Sequence, residues 1–481
     1  MSTPTSTRSA PLLLWAGLPV GLAAILVLVV SGVGPLFVGL ALLAILAIGM
    51  ASALMTPTIR HWLPAIGLLT VLALSLSAQG NDDGVDPFEV LFGLTLIGFL
   101  GAWYGTSVVG GTRTLRSATD VATFLFIAVG GLGGLALGLL TSVPVSEMRS
   151  DLTCVLAFAL FFPVREVCTR FVQGPRLIAG ALVGLGLYAS GANALRLYGA
   201  LTGAIELYEV VDIRVASGEI QIVGALIVTA LWFTSIRSRK AQTALFVIAS
   251  FLLAGLILTK SRGAWLTATA GLMVCGVLAG GLIRRRLILT MLGGGLATIA
   301  AGLVAVGPQL ALIGIGVLRR ITSISTAATA DISLLNRYAE AAATWEAILN
   351  SPILGSGWGA PIVRYDLIVG YTYTTGFVHN GYLWLWHKVG IWGLALFSIT
   401  LIGTLLEGMQ ASRMRGTHRE NRALAAGATG AIVAYAILAI PSNPYVVLDQ
   451  MLMVAVTLGL ASGLWCRTLR DRMPARAEIS L

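Results

Sequence analysis

Apolar stretches of about twenty residues, the length that crosses a hydrocarbon core of about 30 Å, recur from one end of this sequence to the other and leave no room for a soluble domain of ordinary size. Only 11% of the residues are charged and 57% are hydrophobic, against roughly 25% charged in soluble domains. The expected fold is therefore all-α: a polytopic transmembrane helical bundle forming a single integral membrane domain over residues 1–481.

Apolar runs bounded by charged or Gly/Pro-rich breaks predict spans near 12–30, 35–53, 62–79, 88–108, 121–141, 151–164, 177–199, 218–236, 241–259, 263–283, 287–306, 379–403, 423–440 and 444–466. The first run follows Arg8 but carries no A-x-A-like cleavage site, so it reads as a retained span. With the N-terminus inside, 21 of the 31 Lys and Arg residues fall in cytoplasmic segments, as the positive-inside rule requires. The net charge of +10 is thus mostly a topogenic signal suited to an anionic cytoplasmic leaflet, and it does not indicate nucleic-acid binding. Both termini are expected in the cytoplasm.

The exceptions to that rule carry information. With Arg196 and Lys388 inside spans, eight basic residues are left on the outer face, and six of them lie between residues 260 and 364: Lys260, Arg262, Arg319, Arg320, Arg337 and Arg364. This stretch includes the long connection of 307–378, and loops of that length are commonly functional. Within it, Tyr338, Ala341, Ala342, Trp345, Ile348 and Leu349 have the spacing of an amphipathic helix over about 337–350. Asn350, Ser351 and Pro352 stop it. Such a helix is expected at the membrane surface with its Trp face down, as a lid or wall over a cavity between spans.

Lys260 and Arg262 at one turn, Arg337 in the long loop, and His379 and Asn380 where the next span begins can converge at one depth. A helix starting at His379 points unpaired N–H groups outward, which favours an anion there. The same field disfavours the imidazolium, leaving His379 as a proton acceptor. Guanidinium forks bind phosphate bidentately and stay charged, so two of them facing a membrane cavity suggest a lipid-linked phosphate or diphosphate. Weaker candidates are Arg364 with Asp366, the "GSGWG" turn at 355–359, and His387 with Lys388, for which packing and a functional role weigh equally. No H-E-x-x-H or paired His/Cys spacing appears, and the four cysteines have no framework spacing. No cofactor or metal is expected.

The segments "TKSRGAWL" (259–266), "NRYAEAAATWEAILNSPILGSGWG" (336–359) and "FVHNGYLWLWHKVGIWGL" (377–394) resemble, in order and setting, the O-antigen ligase and Wzy polymerase family of membrane glycosyltransferases. The likeness runs from about residue 240 to 405. It implies a polyprenyl-diphosphate-linked glycan donor, a glycan, lipid or protein acceptor, and metal-independent transfer at the extracytoplasmic face of a bacterial inner membrane; a direct single displacement would invert the anomeric carbon, whereas a covalent intermediate would retain it. Carried over by position, the arginine of the S-R-G turn is Arg262, that of the large loop is Arg337, and the histidine of the H-N pair is His379. Lys260, Asn380, Arg319 and Arg320 are expected to bind substrate. The competing reading is a flippase or transporter that binds the same lipid anion without chemistry.

Overall fold

The computed structural model describes residues 57–75, 87–109, 115–203, 218–279, 281–306, 309–322 and 332–472. The spans expected near 12–30 and 35–53 lie outside these residues. A bilayer core offers backbone groups no partners, so apolar segments close their hydrogen bonds internally as helices. In chain order these are α1 (Pro57–Ser75), α2 (Pro87–Val109), α3 (Ala118–Leu125), a π-helical turn (Phe126–Gly130), α4 (Gly131–Leu140), α5 (Val145–Phe158), α6 (Phe161–Arg170), α7 (Gly174–Gly203) and α8 (Glu219–Ser235). The chain continues with α9 (Arg239–Leu258), α10 (Arg262–Ala279), α11 (Gly281–Val306), α12 (Gln309–Thr322), α13 (Ile332–Asn350), strands β1 (Ile362–Tyr365) and β2 (Thr372–Thr375), α14 (Gly381–Arg413), α15 (Arg419–Leu438) and α16 (Leu448–Arg470).

Among the described residues, seven helical segments are long and apolar enough to cross a membrane: 118–140, 146–170, 174–202, 239–258, 381–413, 419–438 and 448–470. The chain is a multi-pass, all-α membrane protein. Shorter apolar helical segments occur at Trp62–Ser75, Leu91–Ser107, Glu219–Ser235 and Arg262–Leu278. The α8 helix is buried almost throughout, as a helix without a polar face should be.

The most extensive helix contacts join α15 to α10 and α8. Small residues permit this approach: a Cβ added at Gly271 on α10 would lie 2.5 Å from the carbonyl oxygen of Gly430 on α15. Elsewhere, Phe126, Phe158 and Phe397 pack with ring centroids 5.3 to 5.5 Å apart, tying the π-turn, α5 and α14 together.

The connection from 351 to 380 is ordered by a break in α14. Gly390 has φ +69°, which interrupts the helix there. Ser356 N–H donates to the His387 carbonyl at 2.8 Å and Gly357 N–H to that of Lys388 at 2.9 Å. Backbone irregularity inside a membrane protein is tolerated where neighbouring chain supplies such partners. The "GSGWG" segment is a tight loop with Gly355, Gly357 and Gly359 all at positive φ. Trp358 anchors it, its indole N–H donating to the carbonyls of Gly130 and Gly131 beside the π-turn.

The β1–β2 hairpin, absent from the sequence expectation, follows that loop. The strands pair antiparallel, with Arg364 opposite Tyr373. Asp366 closes the turn by accepting the N–H groups of Ile368 and Val369 on one carboxylate oxygen. Leu367 N–H donates to Asn336 Oδ1 at 2.9 Å, which docks the hairpin onto α13.

Candidate functional site

A cavity of about 500 Å³ opens at one end of the bundle, within the usual range for small-molecule sites. Its wall includes Gly218 and Glu219 at the start of α8, Lys260 to Gly263 between α9 and α10, and Ser333, Leu334 and Arg337 on α13. Phe377 and His379 ahead of α14, Pro441 to Asn443 after α15, and Val447 and Gln450 at the start of α16 complete it. The N-terminal ends of α8, α10, α13 and α16 therefore face one volume, and helix N-termini contribute positive potential there. Among the described residues, the lining carries Lys260, Arg262 and Arg337 together with the carboxylate of Glu219. A hollow with this balance is suited to an anion with more than one negative charge.

The turn carrying the first two cations is locally specified. Lys260 adopts φ +48°, a left-handed conformation costing roughly 1–2 kcal/mol for a residue with a side chain. Thr259 Oγ1 accepts the N–H of Ser261, and Ser261 Oγ accepts that of Ala264 at the start of α10. Ser261 also donates its hydroxyl to Glu219 Oε2 at 3.0 Å, joining the turn to α8. Strain of this kind at a cavity rim is characteristic of positions held for function.

The α13 helix is amphipathic, with a buried stripe along one side. Its buried residues are Asn336, Glu340, Thr344 and Ile348, one face at a spacing of four. Tyr338, Trp345 and Leu349, expected to face down, are 58%, 44% and 60% exposed. The buried face is thus mostly polar while large apolar side chains point outward, and Ser333, Leu334 and Arg337 are the α13 residues that line the cavity. Trp345 meets the Trp386 ring edge-on at 5.3 Å.

Glu340, which sequence reading passed over, is 1% exposed and reaches the segment before α14. Its Oε2 accepts the backbone N–H of His379 at 3.1 Å and lies 2.7 Å from His379 Nδ1. Its Oε1 faces Arg364 Nη1 at 3.6 Å. Arg364 also pairs with Asp366 at 3.4 Å, as expected, hydrogen-bonds Tyr373 and lies over its ring. Burial pushes the Asp366 carboxyl up, but hydrogen bonds from Asn336, Ile368 and Val369 and the Arg364 charge outweigh it and hold it below the usual carboxylate range. The only sequence signal for Glu340 is its place on the Asn336–Thr344 stripe.

The other expected residues separate. Lys260, Arg262, Arg337 and His379 share the cavity, but Asn380 does not line it. Asn380 is the N-cap of α14, accepting the N–H groups of Tyr382 and Leu383 on Oδ1 at 3.0 Å. Two first-turn donors expected to be open to an anion are thus already satisfied, because the helix begins at Gly381 rather than at His379. Arg319 is exposed on α12 away from the cavity, and the side chain of Arg320 lies outside the described residues. His387 and Lys388 are buried one face away: Lys388 Nζ lies 3.3 Å from Asp151 Oδ2 and donates to the Ala360 carbonyl at 2.7 Å.

The fold and this cavity define a polytopic membrane protein with a cationic pocket at one end of its bundle. Residues 244–398 match the sequence model of a family described as O-antigen ligase, so over this third of its length the chain is similar to that family. Three of the cavity's shared residues at its two ends of the sequence, Lys260, Arg262 and His379, and Arg337 between them, all fall inside the match. At family level the activity is that of a membrane glycosyltransferase of ligase or polymerase type, in polysaccharide biosynthesis. Compared with curated proteins, the chain matches none.

Proposed function

We propose that this protein transfers a glycan from a polyprenyl-diphosphate carrier to an acceptor hydroxyl at the extracytoplasmic face of a bacterial inner membrane, with both termini in the cytoplasm. The observation that carries the reading is the meeting of Lys260, Arg262, Arg337 and His379 on one cavity inside a segment with an O-antigen ligase match.

In the step proposed, His379 accepts the proton of the acceptor hydroxyl as its oxygen forms a bond to the anomeric carbon. The bond from that carbon to the diphosphate oxygen breaks, and its electron pair leaves with the lipid diphosphate. Negative charge grows on the leaving group, and Arg262 and Arg337, with Lys260, stabilise it. Preorganised donors aimed at developing charge are worth about 3–4 kcal/mol each, and a positioned general base about 10² to 10⁴-fold. Side-chain cations then fill the neutralising role, so the reaction is proposed to be metal-independent. A single displacement inverts the anomeric configuration.

The test is transfer by purified protein in nanodiscs, supplied with a polyprenyl-diphosphate glycan and candidate acceptors. A ladder of product lengths marks a polymerase and one discrete adduct a ligase, while NMR of the new linkage reads inversion. Movement of the donor across the bilayer with no new glycosidic bond would replace this reading by the flippase one.

A further inference from the structure

We infer that Glu340 is the positioning residue for His379: a buried carboxylate that fixes which ring nitrogen carries the proton, and so makes Nε2 the base. This rests on the glycosyl-transfer reading above, in which His379 takes the acceptor proton.

The geometry constrains the ring closely. Glu340 Oε2 already accepts the backbone N–H of His379 at 3.1 Å, so that oxygen is directed at the histidine's own main chain. The same oxygen lies 2.7 Å from Nδ1, a distance that needs a proton between them. A carboxylate has no proton to give, and therefore Nδ1 carries it. The lone pair is left on Nε2, the nitrogen available to the cavity that His379 lines. The Phe377 ring packs edge-on against the imidazole at 4.9 Å and opposes rotation about the ring axis. When the base takes up a proton, the adjacent carboxylate stabilises the imidazolium that forms, as the acid does in hydrolytic triads.

Glu340 is itself held. Its other oxygen faces Arg364 Nη1 at 3.6 Å, and the Arg364 side chain is 5% exposed. A carboxylate at 1% exposure is expensive unless it is paired, and its two neighbours here are a guanidinium and a histidine. Retaining charge at this depth, where an apolar residue would pack on α13 at no such cost, is explained by what the charge does to the ring.

The helix also couples two tasks. Arg337 lines the cavity and Glu340 follows three residues later, about 4.5 Å along the axis. One turn of α13 therefore carries both a proposed diphosphate-binding group and the group that sets the base. Arg364, brought in by the hairpin, locks that turn from the far side.

The experiment compares Glu340→Leu, Glu340→Gln and His379→Ala in nanodiscs. It follows kcat, KM for the donor, and the ring-nitrogen NMR signals of ¹⁵N-histidine-labelled protein at about pH 8, above the ordinary imidazole range. The chain has four histidines, and the signal missing from His379→Ala assigns the one of interest. Glu340→Leu is expected to lose the protonated-Nδ1 signature and to drop kcat by at least about 10²-fold with donor KM little changed. Glu340→Gln, of the same size but without charge, should fold and lower kcat by at least about tenfold. Wild-type kcat in Glu340→Gln, or a protonated-Nδ1 signal that survives in Glu340→Leu, overturns the positioning role while leaving His379 as the base. Wild-type transfer in His379→Ala overturns the reading beneath it, whatever Glu340 does.

Discussion

Removing the Lys388 ammonium should destabilise the bundle severely without touching the cavity. Lys388 is 0% exposed and Asp151 5%, with Nζ and Oδ2 3.3 Å apart. At an effective dielectric of about 20 their attraction is roughly 5 kcal/mol. Each has one further partner: Lys388 donates to the Ala360 carbonyl, and Asp151 accepts the Gly359 N–H at 2.8 Å. Lys388→Met strands the carboxylate with that single N–H, and breaking a buried pair on one side typically costs about 3–5 kcal/mol. Replacing both partners, as Lys388→Met with Asp151→Leu, removes the uncompensated charge and should recover most of the loss. A double-mutant cycle of unfolding free energies, from denaturant titration in detergent, measures the coupling. Neither residue lines the cavity, so donor affinity should be unchanged in every variant that folds. A single mutant within about 1 kcal/mol of wild type, or a double mutant no more stable than Lys388→Met, would refute the reasoning, because either result means the pair is not what holds the loop to α5 and α14.

Three further outcomes follow from the same structure. Arg262→Ala should cut the transfer rate about 10² to 10³-fold, and Arg262→Lys less because the charge remains; full activity of Arg262→Ala in a membrane assay would remove this residue from the leaving-group site. Asn380→Ala should cost about 0.5–2 kcal/mol of stability through the lost α14 cap while leaving donor affinity intact, and weakened donor binding at full stability would return Asn380 to the binding role first expected of it. Because the Asp366 carboxyl lies below the usual range, its contribution is complete above about pH 4, the ordinary Asp value, and fades as pH falls through the lower folded value; hydrogen exchange across 362–375 should quicken there, and an Asp366→Asn protein with an unchanged acid profile would exclude this group as the cause.

Some of this molecule was legible in the chain alone. Membrane helices close their own backbone hydrogen bonds, so a run of apolar residues specifies its helix locally; the run expected over 241–259 is α9 (Arg239–Leu258), and that over 444–466 is offset by four residues from α16 (Leu448–Arg470) at each end. Lys260, Arg262, Arg337 and His379 stood out because charge and imidazole are rare in this composition, and they do face a common cavity. What the tertiary structure alone decided concerns partners. Periodicity marked α13 as amphipathic, but that its buried stripe would be Asn336, Glu340, Thr344 and Ile348, and what that stripe packs against, came only from the fold. Glu340 meets His379 from 39 residues away, and Asp151 lies still farther along the chain from Lys388. No spacing rule reaches such distances, since a pair joined only by packing leaves no periodic trace in the sequence between its members.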